Sequence, residues 1–316
     1  MVLFCFLPVL FLVSFSVSLL NAEQYYVVPN IVHQTYDYQS PNFFMYMSIK
    51  CVQYFIKPLR HVLWVNDEGK YRKNHWESWQ SKTVEGTWEH DFVGLLKSGK
   101  IETVPLTYPM HPPGNESVFV SNKAHRSDFV RMSVLLKEGG VYLDTDAFPT
   151  KSLDELRIHN FTLAFDNIVN PDKNAPKRLN NGVIFSVPNA PFLRIWTSTY
   201  SSFDPSSWDY HSSIVPFQLA TEYPDLVHIE MSRISPLSYG FQTSAAAAAL
   251  TCGIYMSSER AVWHPRYDAV TKRYTFAGTS PDTSFYNSLG RKLILHLTMS
   301  AVRYVDYKIF TENKKY

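Results

Sequence analysis

Two adjacent glycines, Gly139-Gly140, lie between a helix-like stretch and a short β-prone one, and they constrain this chain more than any other feature. From Asn122 to Lys137 the apolar residues Ala124, Phe129, Met132, Val134, Leu135 and Leu136 recur at roughly helical spacing. The glycines supply a left-handed stop. Val141-Tyr142-Leu143 then reads as a short buried strand ending in Asp144-Thr145-Asp146. In an extended chain alternate side chains share a side, so the two aspartates are expected to converge on one point. Asp128 and Arg131, three apart on the helix, are expected to share one edge of it.

Paired carboxylates repel unless a cation lies between them. A hard divalent ion suits such oxygen donors and keeps coordination places open for substrate phosphates. In open α/β sheets the ligand crevice lies at the carboxyl ends of the strands, where this acidic pair falls. Arg131 adds a planar fork of donors suited to a phosphate or a sugar hydroxyl. An isolated Asp-x-Asp is more often a solvated turn; the helix, double glycine and strand that precede it give it weight here.

Ser127-Asp128-x-x-Arg131 followed by Gly139-Gly140-Val141-Tyr142-Leu143-Asp144-x-Asp146 resembles the signature of the Asp-x-Asp glycosyltransferases of the sugar-binding-region family. That family includes α-1,4-galactosyl- and N-acetylglucosaminyltransferases and initiating α-1,6-mannosyltransferases. Pro29-Asn30-Ile31-Val32-His33-Gln34-Thr35-Tyr36 resembles the family's opening segment. The resemblance implies an α/β, Rossmann-like GT-A fold with a mixed, mostly parallel sheet flanked by helices. It also implies a nucleotide-diphosphate sugar donor, Mn²⁺ or Mg²⁺, and retention of anomeric configuration. On this reading Asp146 binds the metal, and Asp144 contacts ribose or sugar or reaches the metal through water. Asp128 and Arg131 hold the donor sugar, with Tyr142 beside them, and His33, Gln34 and Thr35 lie near base and ribose. Asn180 and Asn181 are sugar-contact candidates, although Asn-Asn-Gly also makes a good turn before a strand. His296, in Leu293-Ile294-Leu295-His296-Leu297-Thr298, resembles the family's C-terminal histidine segment, with Thr298 where the pattern has tryptophan.

Residues 1–20 carry no charged side chain. Residues 1–22 are expected to be a signal peptide or signal anchor, with a GT-A domain over 25–316. The body would then lie in the Golgi or another secretory lumen, as a single-pass type II membrane protein or, after cleavage, a secreted one. Sequons at Asn115 and Asn160 agree with a lumenal setting. Cys51 and Cys252 are either a disulfide or two buried thiols. The formal charge of +2 argues against a nucleic-acid footprint. The 45% hydrophobic and 15% aromatic content suffices for a large core.

Further strands are expected at Tyr25–Thr35, Arg60–Asp67, Ile101–Leu106 and Thr162–Asn167, and helices at Pro41–Phe55, Phe192–Tyr200 and Val215–Glu222. Residues 70–90, with Tyr71, His75, Trp76, Trp79 and Trp88, suit amphipathic helices on the sheet, or else a sugar platform. The expected function is a metal-dependent retaining transfer of a hexose or N-acetylhexosamine to a glycan, glycolipid or glycoprotein. The alternatives are a degenerate protein of the same fold that binds sugar nucleotide without turnover, and a metal-dependent phosphoesterase or glycosidase. No phosphate-loop, nucleophile-elbow or His-Glu-x-x-His motif competes.

Overall fold

Asn122 begins the helix that the periodicity predicts: its side chain accepts from the Ala124 backbone N–H at 2.9 Å. The helix runs Lys123–Glu138 and ends where Gly139 N donates to Leu135 O at 2.9 Å. Gly139 has φ 64° and ψ −160°, which is sharper than a left-handed cap and in a region essentially confined to glycine. Gly140 follows at φ 102° and enters the strand directly. Two successive glycines therefore turn the chain from helix to sheet with no connecting loop.

The computed structural model describes residues 25–37, 43–66, 88–149, 151–166, 177–231, 233–236, 254–256, 264–268 and 273–277. In chain order these form β1 (Ile31–Asp37), α1 (Phe43–Cys51), a π-helical turn (Val52–Ile56), β2 (Arg60–Asn66), α2 (Trp88–Lys97) and β3 (Glu102–Leu106). The helix just described is α3, followed by β4 (Gly140–Leu143), β5 (Ala147–Pro149), β6 (Phe161–Phe165) and β7 (Leu179–Ser186). Then come α4 (Pro191–Ser198), α5 (Val215–Glu222), β8 (His228–Glu230), β9 (Ile234–Pro236), β10 (Ile254–Met256), β11 (His264–Asp268) and β12 (Arg273–Ala277). Residues 1–22, Tyr71 to Trp79, Cys252 and His296 lie outside the described residues.

Seven strands form one mixed sheet in the order β3-β2-β1-β4-β7-β6-β8. β3, β2, β1 and β4 run parallel, β7 is antiparallel to both β4 and β6, and β8 pairs parallel with β6. This is the mixed, mostly parallel α/β architecture that the family resemblance implied. β4 is buried throughout, and its side chains alternate between two cores. Tyr142 packs with Phe129, Met132 and Leu135 of α3 and with Phe161 and Ile184. Val141 and Leu143 face Val32, Val52, Val183 and Phe185 on the other side.

Two expectations are corrected. β1 begins at Ile31 rather than Tyr25, because the backbone N–H groups of Val27 and Val28 both donate to Arg157 O instead of joining a strand ladder. Asn180 and Asn181 lie within β7, not in a turn before it. Ser152 bonds Asp154, and Asp154–Ile158 is a 3₁₀ segment. Cys51 is a free, buried thiol pushed up to about 12 by burial.

Candidate active site

Asp144 and Asp146 are the first and third residues of a tight turn at the carboxyl end of β4. Ala147 N donates to Asp144 O at 3.0 Å, closing a four-residue β-turn into β5. The carboxylates are therefore presented by a turn and not, as expected, by alternation along an extended strand. They still influence each other. Asp146 is pushed up to about 7 by lost hydration and then by the charge of Asp144, with its own backbone N–H and Arg131 opposing. Its side chain is nevertheless exposed, which limits the hydration loss; the charge of Asp144 is the influence a cation would reverse.

Arg131 holds the other half of the site together. Its Nη1 donates to Asn181 O at 2.7 Å and its Nη2 to Ser127 Oγ at 2.7 Å. Nη2 also lies 3.2 Å from Asp128 Oδ1 and 3.3 Å from Asp144 Oδ1. The guanidinium stacks over the Tyr142 ring, 4.5 Å from its centre. Burial works against its charge, yet Asp144, Tyr142 and Asp128 keep it firmly protonated. Asp128 accepts from Asn181 Nδ2 at 2.8 Å. The helical pair thus shares one edge as expected, and that edge meets the acidic turn.

β7 reaches this cluster by an irregularity. Its register with β6 jumps from Leu163–Ile184 to Ala164–Asn180, so β6 passes over residues 181–183. That bulge brings Asn181 to both Asp128 and Arg131, and Gly182 O to the Asp144 backbone N–H at 2.8 Å. Asn180 instead turns on its own backbone, its Oδ1 accepting from Gly182 N.

The β1 candidates divide. The Thr35 hydroxyl donates to Tyr142 Oη at 2.9 Å, and Tyr142 Oη donates to Asp144 Oδ1 at 2.9 Å, so both belong to the cluster. His33 and Gln34 are fully buried. His33 accepts from Trp64 Nε1 at 3.2 Å and donates from Nε2 to Gly139 O at 2.9 Å, pinning the glycine turn to β1. Burial lowers its basicity, consistent with a neutral ring. Gln34 is engaged beneath the acidic turn. Neither side chain reaches the open side. The inward partners His61 and Ser48 were not read from the sequence, because nothing in a lone histidine or serine marks it.

The donor set fits a hard divalent ion. Asp146 is exposed at the strand end, while Asp144 is steadied by Tyr142 and Arg131 and remains part-exposed. Among the described residues no group of three or more His, Cys, Asp or Glu could enclose a metal. Among the described residues the turn offers two carboxylates, which would leave places for phosphate and water on a bound ion.

Asp128 carries a pH signature. It is raised to about 6, chiefly by burial and also by Asp144, against the pull of Arg131, His125 and Asn181. Burial thus weighs on the acid more than the arginine relieves it. A carboxyl raised on folding contributes stability below its unfolded value near 4 and loses it as pH rises through about 6. Asp128→Asn cannot titrate. In metal-free protein its stability deficit against the parent should therefore shrink between pH 4 and 7, by up to about 3 kcal/mol. A deficit from thermal melts that stays constant or grows across that range would contradict this.

The matched family is described as the glycosyltransferase sugar-binding region containing the DXD motif, and the match spans residues 69–162. Asp128, Arg131 and the acidic turn lie inside the matched segment. Glucan organizing enzyme 1 of Cryptococcus neoformans var. grubii is 36% identical over 112 residues. That alignment covers 35% of this chain, which spans about a third (31%) of that relative's length. Among solved structures, the PaToxG glycosyltransferase overlaps with TM-score 0.43 and 14% identity, covering 63% of this chain and 70% of that one. The apo-form glycosyltransferase GlyE of Streptococcus pneumoniae gives TM-score 0.41 and 13% identity, covering 86% and 63%.

Proposed function

We propose that this chain is a metal-dependent retaining glycosyltransferase that moves a hexose or N-acetylhexosamine from a nucleotide-diphosphate sugar to a glycan, glycolipid or glycoprotein. One observation carries the reading. Arg131 joins the helix acid, the strand-end acid and the β7 bulge into one charged frame beside an exposed carboxylate.

In this reading Asp146 is the direct metal ligand, with Asp144 beside it. A bound Mn²⁺ or Mg²⁺ would supply Lewis-acid stabilisation of the leaving diphosphate. Arg131, Asp128 and Asn181 fix the sugar end, and Thr35 with Tyr142 orients the Asp144 carboxylate. Holding the donor in one pose turns a bimolecular encounter into an ordered one. The fixed charges need little reorganisation as negative charge develops. His33 and Gln34 shape the site from below, leaving Thr35 as the β1 residue nearest the donor. His296 stays a candidate third ligand. The setting we propose is the secretory lumen, reached through residues 1–22 as a type II anchor or a cleaved leader.

The test is a thermal-shift screen of UDP- and GDP-sugars with and without Mn²⁺. One donor should raise the melting temperature by several degrees only with metal, as binding to the native state requires. Asp146→Ala should fold and lose the metal-dependent increment. An unchanged increment in that variant would reject the metal role.

A further inference from the structure

We propose that Gln34, Ser48 and His61 are positioning residues that set the geometry of the Asp144–Ala147 turn from beneath, through one directional row of buried hydrogen bonds. This rests on the reading of that turn as the metal and diphosphate site. It moves Gln34 from a contact with the donor to a support of the group that makes the contact.

Ser48 Oγ lies 2.6 Å from Ala147 O. A carbonyl only accepts, so the serine proton goes there. Ser48 Oγ must then accept from Gln34 Nε2 at 2.9 Å, which fixes the orientation of the Gln34 amide. Its Oε1 consequently faces His61 Nε2 at 2.9 Å, which makes His61 the donor. His61 Nδ1 is left with a lone pair, filled by Gln53 Nε2 at 2.8 Å. The second hydrogen of the Gln34 amide points at Asp144 O across a longer 3.5 Å. Every hydrogen in the row has one consistent assignment, from Gln53 to Ala147. It requires a neutral imidazole, in keeping with burial pushing His61 down to about 3.

The row ends on the carbonyls at both ends of the turn, Asp144 O and Ala147 O. Gln34 and Ser48 are fully buried and His61 nearly so, which keeps these bonds from exchanging with water. Arg131 and Tyr142 hold the Asp144 side chain, whereas this row holds the backbone. Asp146, midway along the turn, takes its direction from that backbone.

The experiment titrates Mn²⁺ calorimetrically into purified protein with UDP, or with GDP if the screen above selects it. Ser48→Ala should weaken Mn²⁺ binding about tenfold at 25 °C, and Gln53→Ala, at the outer end of the row, about threefold. Thr199→Ala removes an ordinary hydrogen bond to Trp196 O elsewhere, so it should lower the melting temperature with affinity unchanged. A folded Ser48→Ala whose affinity stays within twofold of the parent overturns the proposal. If Ser48→Ala does not fold, Gln53→Ala decides the matter: weakened binding supports the row and unchanged binding overturns it. Asp146→Ala is measured in parallel. If that variant also keeps full affinity, the turn is not the metal site and both readings fall. If only the row variants keep it, the row alone is overturned.

Discussion

Arg131→Lys is expected to reduce donor turnover about 100-fold and to lower stability by about 3 kcal/mol, although the charge is kept. The guanidinium is engaged through both of its terminal nitrogens. It serves Asn181 O, Ser127 Oγ, Asp128 and Asp144 while lying over the Tyr142 ring. An ammonium has three donors on a flexible stem, cannot span these partners together and does not stack. The losers would be the Asn181 carbonyl and one of the two carboxylates, each left with less support in a partly or fully buried setting. The activity loss comes from misplacement, since Asp144 and the β7 bulge are held in register through this one group. Metal-dependent hydrolysis of the donor selected by the screen, followed alongside urea unfolding, reads both effects. A rate within threefold of the parent would remove Arg131 from the site.

Gly140→Ala is expected to abolish folding at 37 °C, with a loss of about 4 kcal/mol or more. Domains of ordinary stability have about 5–15 kcal/mol in total. A Cβ built on Gly140 would stand 2.5 Å from Ile31 O and 3.3 Å from His33 Nε2. The first is backbone of a central strand and cannot yield. The φ of 102° adds strain for any L side chain. Soluble expression followed by circular dichroism decides it: a cooperative melt within a few degrees of the parent would show that the strand can move aside.

Local chemistry made α3, its Asn122 start, the glycine stop, β4 and the helix Val215–Glu222 legible in the sequence. Hydrophobic period, a capping side chain and positive-φ glycines act within a few residues, so one chain carries the signal. Asp128 and Arg131 were legible for the same reason. What was not legible depended on pairing between distant strands. The sequence cannot show that β6 skips residues 181–183 of β7, and that skip is what brings Asn181 to Arg131. Nor does it show that β1 lies third from the β3 edge, between β2 and β4, which turns His33 and Gln34 inward and leaves Thr35 to meet Tyr142. The acidic pair was found through its residue types. Its geometry, a closed turn and not a strand, follows from Ala147 leaving to pair with β10.

The row beneath that turn has a polarity as well as a shape. Gln53, His61, Gln34 and Ser48 give their hydrogens in the same sense, so their small moments add head to tail and each bond polarises the next. The positive pole of this internal dipole points at the acidic turn. The protein thereby does with four side chains what the first turn of a helix does with its amides: it turns hydrogen-bearing ends toward concentrated negative charge from inside the fold.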